Sequence, residues 1–505
     1  MGDDRARVGE ALADRDAPSA TLLAIRNGLK LGASLVFTWG IALTIRMMLP
    51  RYLGPTRFGS LSFADGFTTA AFIVLGLGAD SYIRKEVAVR PAHASDFFGG
   101  IFALRVGLGA LVLLAMAAVL RQTGRSGDVM GLVMLYGVTQ FFVSANATFS
   151  AILHAKGRVG AMSVLAVVTK VVWAVGVLLA MATGARLWAY AASYLASEAI
   201  ETVVLYRLAA AHVGLRLRVD RRATGAMLLA ALPYYVQLFA TTAYGKLDIS
   251  LLEFMGNTEE VGWYGAATAV ASLTLLVTPL IGWVLMPMFA RAAARSREEL
   301  DAQVRRSLEL ILSVAIPAGL MIQVGADVWV RFMFGEAFAP AAGALRILAP
   351  MFVVMYVGII YSIALVMLER AWALVFIALG GLVVNVTLNL LLIRFSMRLF
   401  GPGGGGTGCS LAMLATEIFV TSCMLGLLGR GGFDRRSTLA IAKSVGAGAL
   451  VIVLDRMLVG LGPPRLVVDA AVYTAFVLGT GAIRVREIVS VVKEALRRRS
   501  GAMGD

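Results

Sequence analysis

The run GAMSVLAVVTKVVWAVGVLLAMATGARLWAYAASYLASEAIETVVLYRL, residues 160–208, decides the fold class. It holds two apolar stretches, 160–183 and 186–208, joined by a turn at Gly184 and Arg186. A helix that crosses a bilayer needs about 20 such residues, so each stretch is long enough to do so. Away from their ends the stretches carry three charges, Lys170, Glu198 and Glu201. A charge at that depth is costly and marks a functional position.

Working outward, the same pattern fills the chain. Further spans are expected near 27–49, 60–82, 97–120 and 129–154 on the N-terminal side. On the C-terminal side they are expected near 226–252, 261–289, 304–326, 345–368, 372–395, 408–429, 438–460 and 466–484. Composition agrees, because 59% of the 505 residues are apolar and only 15% are charged, against about 25% charged in soluble domains. A water-soluble multidomain enzyme is excluded on this balance. The expected fold is an all-α polytopic membrane protein of about fourteen transmembrane helices. Its parts would be a lead-in 1–26, six helices in 27–208, a basic connector 209–225, six helices in 226–429, two additional helices in 430–484 and a basic amphipathic tail 485–505.

Charge supplies the orientation. The formal net charge of +15 is spread between apolar runs rather than clustered on one face, so it reads as topology and not as a nucleic-acid surface. With the N-terminus inside, inward segments hold 31 Lys and Arg, outward loops hold 11, and Arg46, Arg105, Lys170 and Lys246 lie within spans. That asymmetry places both termini in the cytoplasm, and the expected location is multi-pass in the cell inner membrane. Cys409 and Cys423 fall in one apolar run and read as buried thiols. His93, His154 and His212 are too far apart for metal-ligand spacing. No cofactor is expected, since GPGGGG at 401–406 lacks the Gly-Lys-Ser/Thr of a phosphate loop and reads as a flexible outward loop.

An internal echo follows. LGPTRFG (53–59) comes after the first span and MGNTEEVG (255–262) after the seventh, each with a turn glycine five or six residues before a second glycine. Transporters are often built from two such related halves.

At these residues the sequence resembles the Wzx-type polysaccharide flippases of the multidrug/oligosaccharidyl-lipid/polysaccharide exporter superfamily. The matching stretches are LPRYLGPTRFGSLSFADGF (49–67), GLGADSYIRKEVA (76–88), LPYYVQLFATTAYGKLDISLLEFMGNTEEVGWYGAAT (232–268), FGEAFAPAAGALRILAP (334–350) and GTGCSLAMLATE (406–417). The resemblance covers nearly the whole chain, and the third stretch, with Pro233, Asp248, Gly256, Gly262 and Tyr264 in order, is its most specific part. It implies two six-helix bundles in a V around a central cavity, extended by two C-terminal helices. It implies a transporter that moves polyprenyl-diphosphate-linked oligosaccharide from the inner to the outer leaflet by alternating access, with no ATPase. Its partners would be the lipid-linked oligosaccharide, membrane lipids, and a polysaccharide polymerase and glycosyltransferases. Lipid II flippases and MATE-type antiporters of the same superfamily are alternatives. A membrane glycan polymerase or glycosyltransferase is an alternative of another class, which the short outward loops disfavour.

A diphosphate crossing the bilayer needs fixed cations along its path. Lys170 and Glu198 lie at equal depth on adjacent spans, ~12–15 Å from the inner face, with Glu201 one turn from Glu198. Lys170 would contribute cavity charge and Glu198 or Glu201 would exchange a proton; a buried structural ion pair is the competing reading. Arg105, in the inner half of its span, would offer a planar fork to the diphosphate. Arg46 and Asp65 are level near the outer ends of their spans. Lys246 and Asp248, two apart, cannot share a helix face. Glu417 lies nine residues into the twelfth span. The candidate lumen cations are therefore Arg105, Lys170, Arg46 and Lys246, and the coupling candidates are Glu198, Glu201, Asp65, Asp248 and Glu417. Pro233, Pro279, Pro287 and Pro317 would bend the helices of the second half.

Overall fold

The computed structural model describes residues 3–78, 80, 83, 94–155, 159–213, 219–429 and 435–480. Among the described residues every regular element is helical. Sixteen α-helices follow one another among these residues: α1 (Asp3–Phe72), α2 (Ala94–Gln122), α3 (Gly127–Ala155), α4 (Val159–Ala182), α5 (Leu187–Val213), α6 (Arg221–Tyr244), α7 (Leu247–Met255), α8 (Thr258–Ala271), α9 (Thr278–Arg295), α10 (Arg297–Val324), α11 (Ala326–Phe334), α12 (Ala341–Met367), α13 (Ala371–Phe400), α14 (Gly404–Leu428), α15 (Arg435–Leu458) and α16 (Arg465–Gly479).

Nine helices among the described residues are long and apolar enough to cross a membrane, or ten if the bent pair 224–232 and 235–255 counts as one span. The figure differs from the expected fourteen for local reasons. The apolar run Phe37–Leu75 counts once, although Gly54 breaks it at φ 73, ψ 171, a conformation open to glycine. The expected eighth span is interrupted by a 3-10 segment, Ser272–Val277. The last, α16, has 15 residues. The tail 485–505 and the connector residues Arg216 and Arg218 lie outside the described residues, as does His93.

The chain divides into two compact units, 1–52 with 67–235 and 53–66 with 236–505. In the first, Ile101, Phe149, Ile152, Leu153, Leu165, Leu205 and Met227 form a buried core contributed by α2 to α6. In the second, Phe289, Leu300, Leu308, Ile360, Tyr361, Leu374 and Val420 join α9, α10, α12, α13 and α14. A smaller cluster of Leu320, Val324, Val451, Tyr473 and Val477 seats α15 and α16 on α10.

Segment 53–66 belongs to the second unit because the two echoed glycines let backbones meet there. A Cβ on Gly59 would run into the Thr258 carbonyl, and one on Gly262 into the Pro55 carbonyl. Thr56 donates a hydrogen bond to Glu259 (3.0 Å) beside this contact, and Phe63 meets Phe254 edge-on at 5.8 Å.

The glycine run 401–406 corrects a sequence expectation. It is not a loose loop: Gly403 turns the chain at φ 81 and α14 starts at Gly404. Gly404, Gly405 and Gly406 are buried, and side chains there would meet Ser396, Leu252 and Tyr264. Four glycines in a row are the means of bringing a helix start against three neighbours.

Candidate functional site

In the first unit, α3, α4 and α5 assemble a polar cluster inside apolar helices. Asn146 on α3 donates to the Glu198 carboxylate (2.9 Å) and to the Glu198 carbonyl (3.1 Å). Thr202, one turn on, donates to Asn146 Oδ1 (2.6 Å), which fixes the amide's orientation. Tyr194 adds a further hydrogen bond to Glu198. Glu201 accepts from Thr169 (3.3 Å), and Ser197 donates to the Thr169 carbonyl (2.8 Å), tying α4 to α5. A helix-borne Ser or Thr that donates sideways in this way satisfies a buried acceptor at little cost.

Lys170 sits on α4 between these groups. Its ammonium lies over the Trp173 ring, 4.5 Å from the centroid, a cation–π placement suited to a partly desolvated charge. Arg46, Glu198 and Glu201 are the charges whose field it feels. The expected meeting of Lys170 with the two glutamates is therefore one of neighbouring charges, with Trp173 as the direct contact. Lys170, Glu198 and Glu201 are each half-buried, and Arg46 is exposed.

Arg105 has a different setting. It is 4% exposed, and its guanidinium is fully engaged. It pairs with Asp80 (2.9 Å), donates to the carbonyls of Leu75 (2.8 Å), Gly76 (3.1 Å) and Ser144 (2.9 Å), and donates to the Thr148 hydroxyl. Thr148 in turn donates to Asp80 (3.0 Å). The carbonyls of Leu75 and Gly76 belong to the end of a 3-10 turn (Ile73–Leu75), whose free acceptors the arginine fork satisfies. The structure thus gives Arg105 the position of a clamp joining this turn, α2 and α3, with its donors spent on the protein.

Four buried acids of the second unit are met by neutral donors. Asp248, 3% exposed, accepts from the Tyr264 hydroxyl and from the Ile249 amide (2.8 Å). Glu417, 3% exposed, accepts from Tyr244 (3.2 Å). Glu253 accepts from Thr258 (2.9 Å). Glu260, 2% exposed, accepts the amides of Gly403 (2.7 Å), Gly405 (3.0 Å) and Gly406 (3.2 Å), so a carboxylate caps the positive end of α14. Lys246 is half-buried at the residue before α7. Asp65, half-buried, belongs to segment 53–66 of this unit, while Arg46 belongs to the first.

Sequence reasoning did not single out Asn146, Thr169, Glu253 or Glu260. For Asn146 the signal was an amide inside an apolar helix; for Glu260, an acid three residues after Asn257, whose side chain caps α8 by accepting the Glu260 amide (2.9 Å). Asn385 and Asn389 form a further buried pair, Asn389 donating to the Asn385 side chain (3.0 Å). Among the described residues no group of three His, Cys, Asp or Glu is placed to hold a metal ion.

Comparison with known proteins gives three results. Residues 24–293 match the family described as polysaccharide biosynthesis protein. The chain is 22% identical over 348 residues to the probable low-salt glycan biosynthesis flippase Agl15 of Haloferax volcanii, covering 68% of this chain and 66% of that relative's length. Among solved structures, the inward closed conformation of the lipid II flippase MurJ matches with a TM-score of 0.67 at 11% identity, covering 92% of this chain and all of that one. An inward-facing MATE-family multidrug transporter matches with a TM-score of 0.61 at 14% identity, covering 78% and 98%. At these identities the structural matches show a shared fold.

Proposed function

The chain belongs to the polysaccharide biosynthesis protein family, and from that premise we propose that it is a flippase for polyprenyl-diphosphate-linked oligosaccharide. It would carry the sugar from the inner to the outer leaflet by alternating access and perform no covalent chemistry. The relative's role in glycan biosynthesis and the fold shared with a lipid flippase support this reading.

The observation that carries it is Lys170. An ammonium at mid-helix depth, half-buried, resting on Trp173 and within the field of Arg46, supplies fixed positive charge where a diphosphate would otherwise meet hydrocarbon. Glu198 and Glu201 balance that charge in the empty protein. When the diphosphate takes their place as counter-anion, the carboxylates become free to take up protons, which couples substrate to proton. Asn146 and Thr202 position Glu198 for that exchange. Arg105 acts indirectly, by holding α2 and α3 in register.

Reconstituted vesicles with a fluorescent polyprenyl-diphosphate sugar test the reading. The wild-type protein is expected to deliver the sugar to the far leaflet, and R46Q/K170Q to slow delivery by about 100-fold, two charge-assisted contacts being lost. Delivery at the wild-type rate by a folded R46Q/K170Q protein overturns the role given to these cations. No protein-dependent delivery by the wild type overturns the substrate class.

A further inference from the structure

The turn between α9 and α10 makes a cleft outside the cluster described above. Met288, Arg291, Ala292 and Arg295 line it from α9 and Glu299, Ala302, Gln303 and Arg306 from α10, enclosing about 510 Å³. Both sets follow the i, i+3, i+4, i+7 spacing of one helix face, so two complete faces are turned toward each other. Ser296 fixes the turn by accepting the Glu299 amide (3.1 Å) as the cap of α10. The walls are small or flexible apolar side chains, and the charges project from them.

Charge is uneven within the cleft. At its mouth Arg295 pairs with Glu299 at 3.5 Å, both well exposed. Arg297, beside the cleft, pairs with Asp301 (3.0 Å) and donates to the Leu428 carbonyl (2.6 Å), which anchors the turn to the end of α14. Arg291 and Arg306 are exposed, and the one carboxylate lining the cleft is already opposite Arg295. Arg291 stands two residues beyond the buried Phe289, and Arg306 two residues before the buried Leu308. In sequence the two arginines bound the charge-rich stretch 291–306 that separates two apolar runs, the level at which a bilayer presents its phosphates.

We propose that this cleft binds a phosphate-bearing group, with Arg291 and Arg306 gripping the phosphate oxygens and Gln303 donating between them. Met288, Ala292 and Ala302 would receive the apolar remainder of the ligand. Basic pockets between helices at the inner face of a membrane are suited to anionic lipid headgroups, and a free diphosphate offers the same oxygens. The site is separate from the Lys170 cluster, and its test does not depend on transport.

The experiment uses the full chain. Purified protein in detergent is titrated with phosphatidylglycerol or phosphatidylcholine and bound lipid is read by native mass spectrometry; inorganic pyrophosphate is titrated in parallel by calorimetry. R291Q/R306Q is expected to bind phosphatidylglycerol roughly 30-fold more weakly than wild type, as for two surface charges removed. Arg331→Gln, an exposed arginine paired with Glu336 elsewhere, should bind as wild type does. Selective retention of phosphatidylglycerol without pyrophosphate binding assigns the lipid as the source; pyrophosphate binding that is lost in R291Q/R306Q assigns a soluble one. Equal affinity in wild type and R291Q/R306Q, or equal binding of both lipids with no pyrophosphate binding, overturns the site.

Discussion

Two sets of charge, one in each unit, are held in opposite ways. In the first, cations and acids share one neighbourhood: Lys170 feels Arg46, Glu198 and Glu201 together, and none of the four is fully buried. In the second, Asp248, Glu253, Glu260 and Glu417 are 2–3% exposed and are held by tyrosine, threonine and backbone donors. A mixed, accessible cluster can exchange one counter-ion for another as an anionic substrate arrives. An acid enclosed by fixed neutral donors holds helices in place. The comparison therefore separates groups expected to set flux from groups expected to set stability.

The largest expected effect breaks the simplest form of this comparison, because it concerns a locked cation in the first unit. Arg105→Ala strands Asp80 and frees three carbonyls, and losing one member of a buried pair costs about 3–5 kcal/mol. The purified variant is expected to melt well below wild type. A melting temperature equal to that of wild type would show that Arg105 is not a clamp and would restore it as a candidate for the diphosphate. In the second unit, Glu260→Ala orphans the amides of Gly403, Gly405 and Gly406, at about 2–4 kcal/mol after partial rehydration. Accelerated amide exchange confined to the start of α14 is the signature to look for. Unchanged exchange there would mean that the glycine run holds itself.

Lys170→Gln sharpens the comparison from the other side. Among the described residues its ammonium makes one ring contact and no hydrogen bond, so melting should shift little. Flux should fall by roughly 10- to 100-fold, the worth of one charge-assisted contact. Loss of stability without loss of flux would place Lys170 with Arg105 among the structural cations.

The sequence made some of these features legible and hid others for physical reasons. Apolar runs and their lengths read directly as helices, since a bilayer leaves few alternatives to internally bonded backbone. The glycine echo was readable as a repeat, and the reciprocal contact of Gly59 and Gly262 shows why both positions lack a side chain. Depth placed Lys170 beside Glu198 and Glu201. Depth could not say which way Arg105 points, because its partners are carbonyls at a 3-10 turn that no side-chain pattern announces. Residues 401–406 were misread for a similar reason: glycine favours loops locally, and only the distant Glu260 turns this run into a helix start. Asp327 is held by Arg465, 138 residues away in sequence, a partnership that no local pattern announces.

That last pair yields the smallest expected effect and extends the comparison to the C-terminal helices. Asp327 on α11 accepts from Arg465 (2.6 Å) and lies 3.6 Å from Arg346; Arg465 also binds Asp455 (2.7 Å). Burial alone would raise the Asp327 carboxyl, but the Arg465 hydrogen bond and charge outweigh it and hold the group below the usual carboxylate range. A depressed folded value means that the stabilisation is complete above the unfolded value, about 4, and is lost as pH falls through the folded one. The contribution of the Asp327–Arg465 pair to the protection of α16, measured as exchange relative to the unprotected amide rate at each pH, should therefore be constant from neutral pH down to about 5 and be lost only below about 4. Asp327→Asn should reduce protection already at neutral pH, by about 1 kcal/mol for a partly exposed pair, and flatten the acid limb. An acid limb of wild-type steepness in Asp327→Asn would show that Asp327 does not anchor α16.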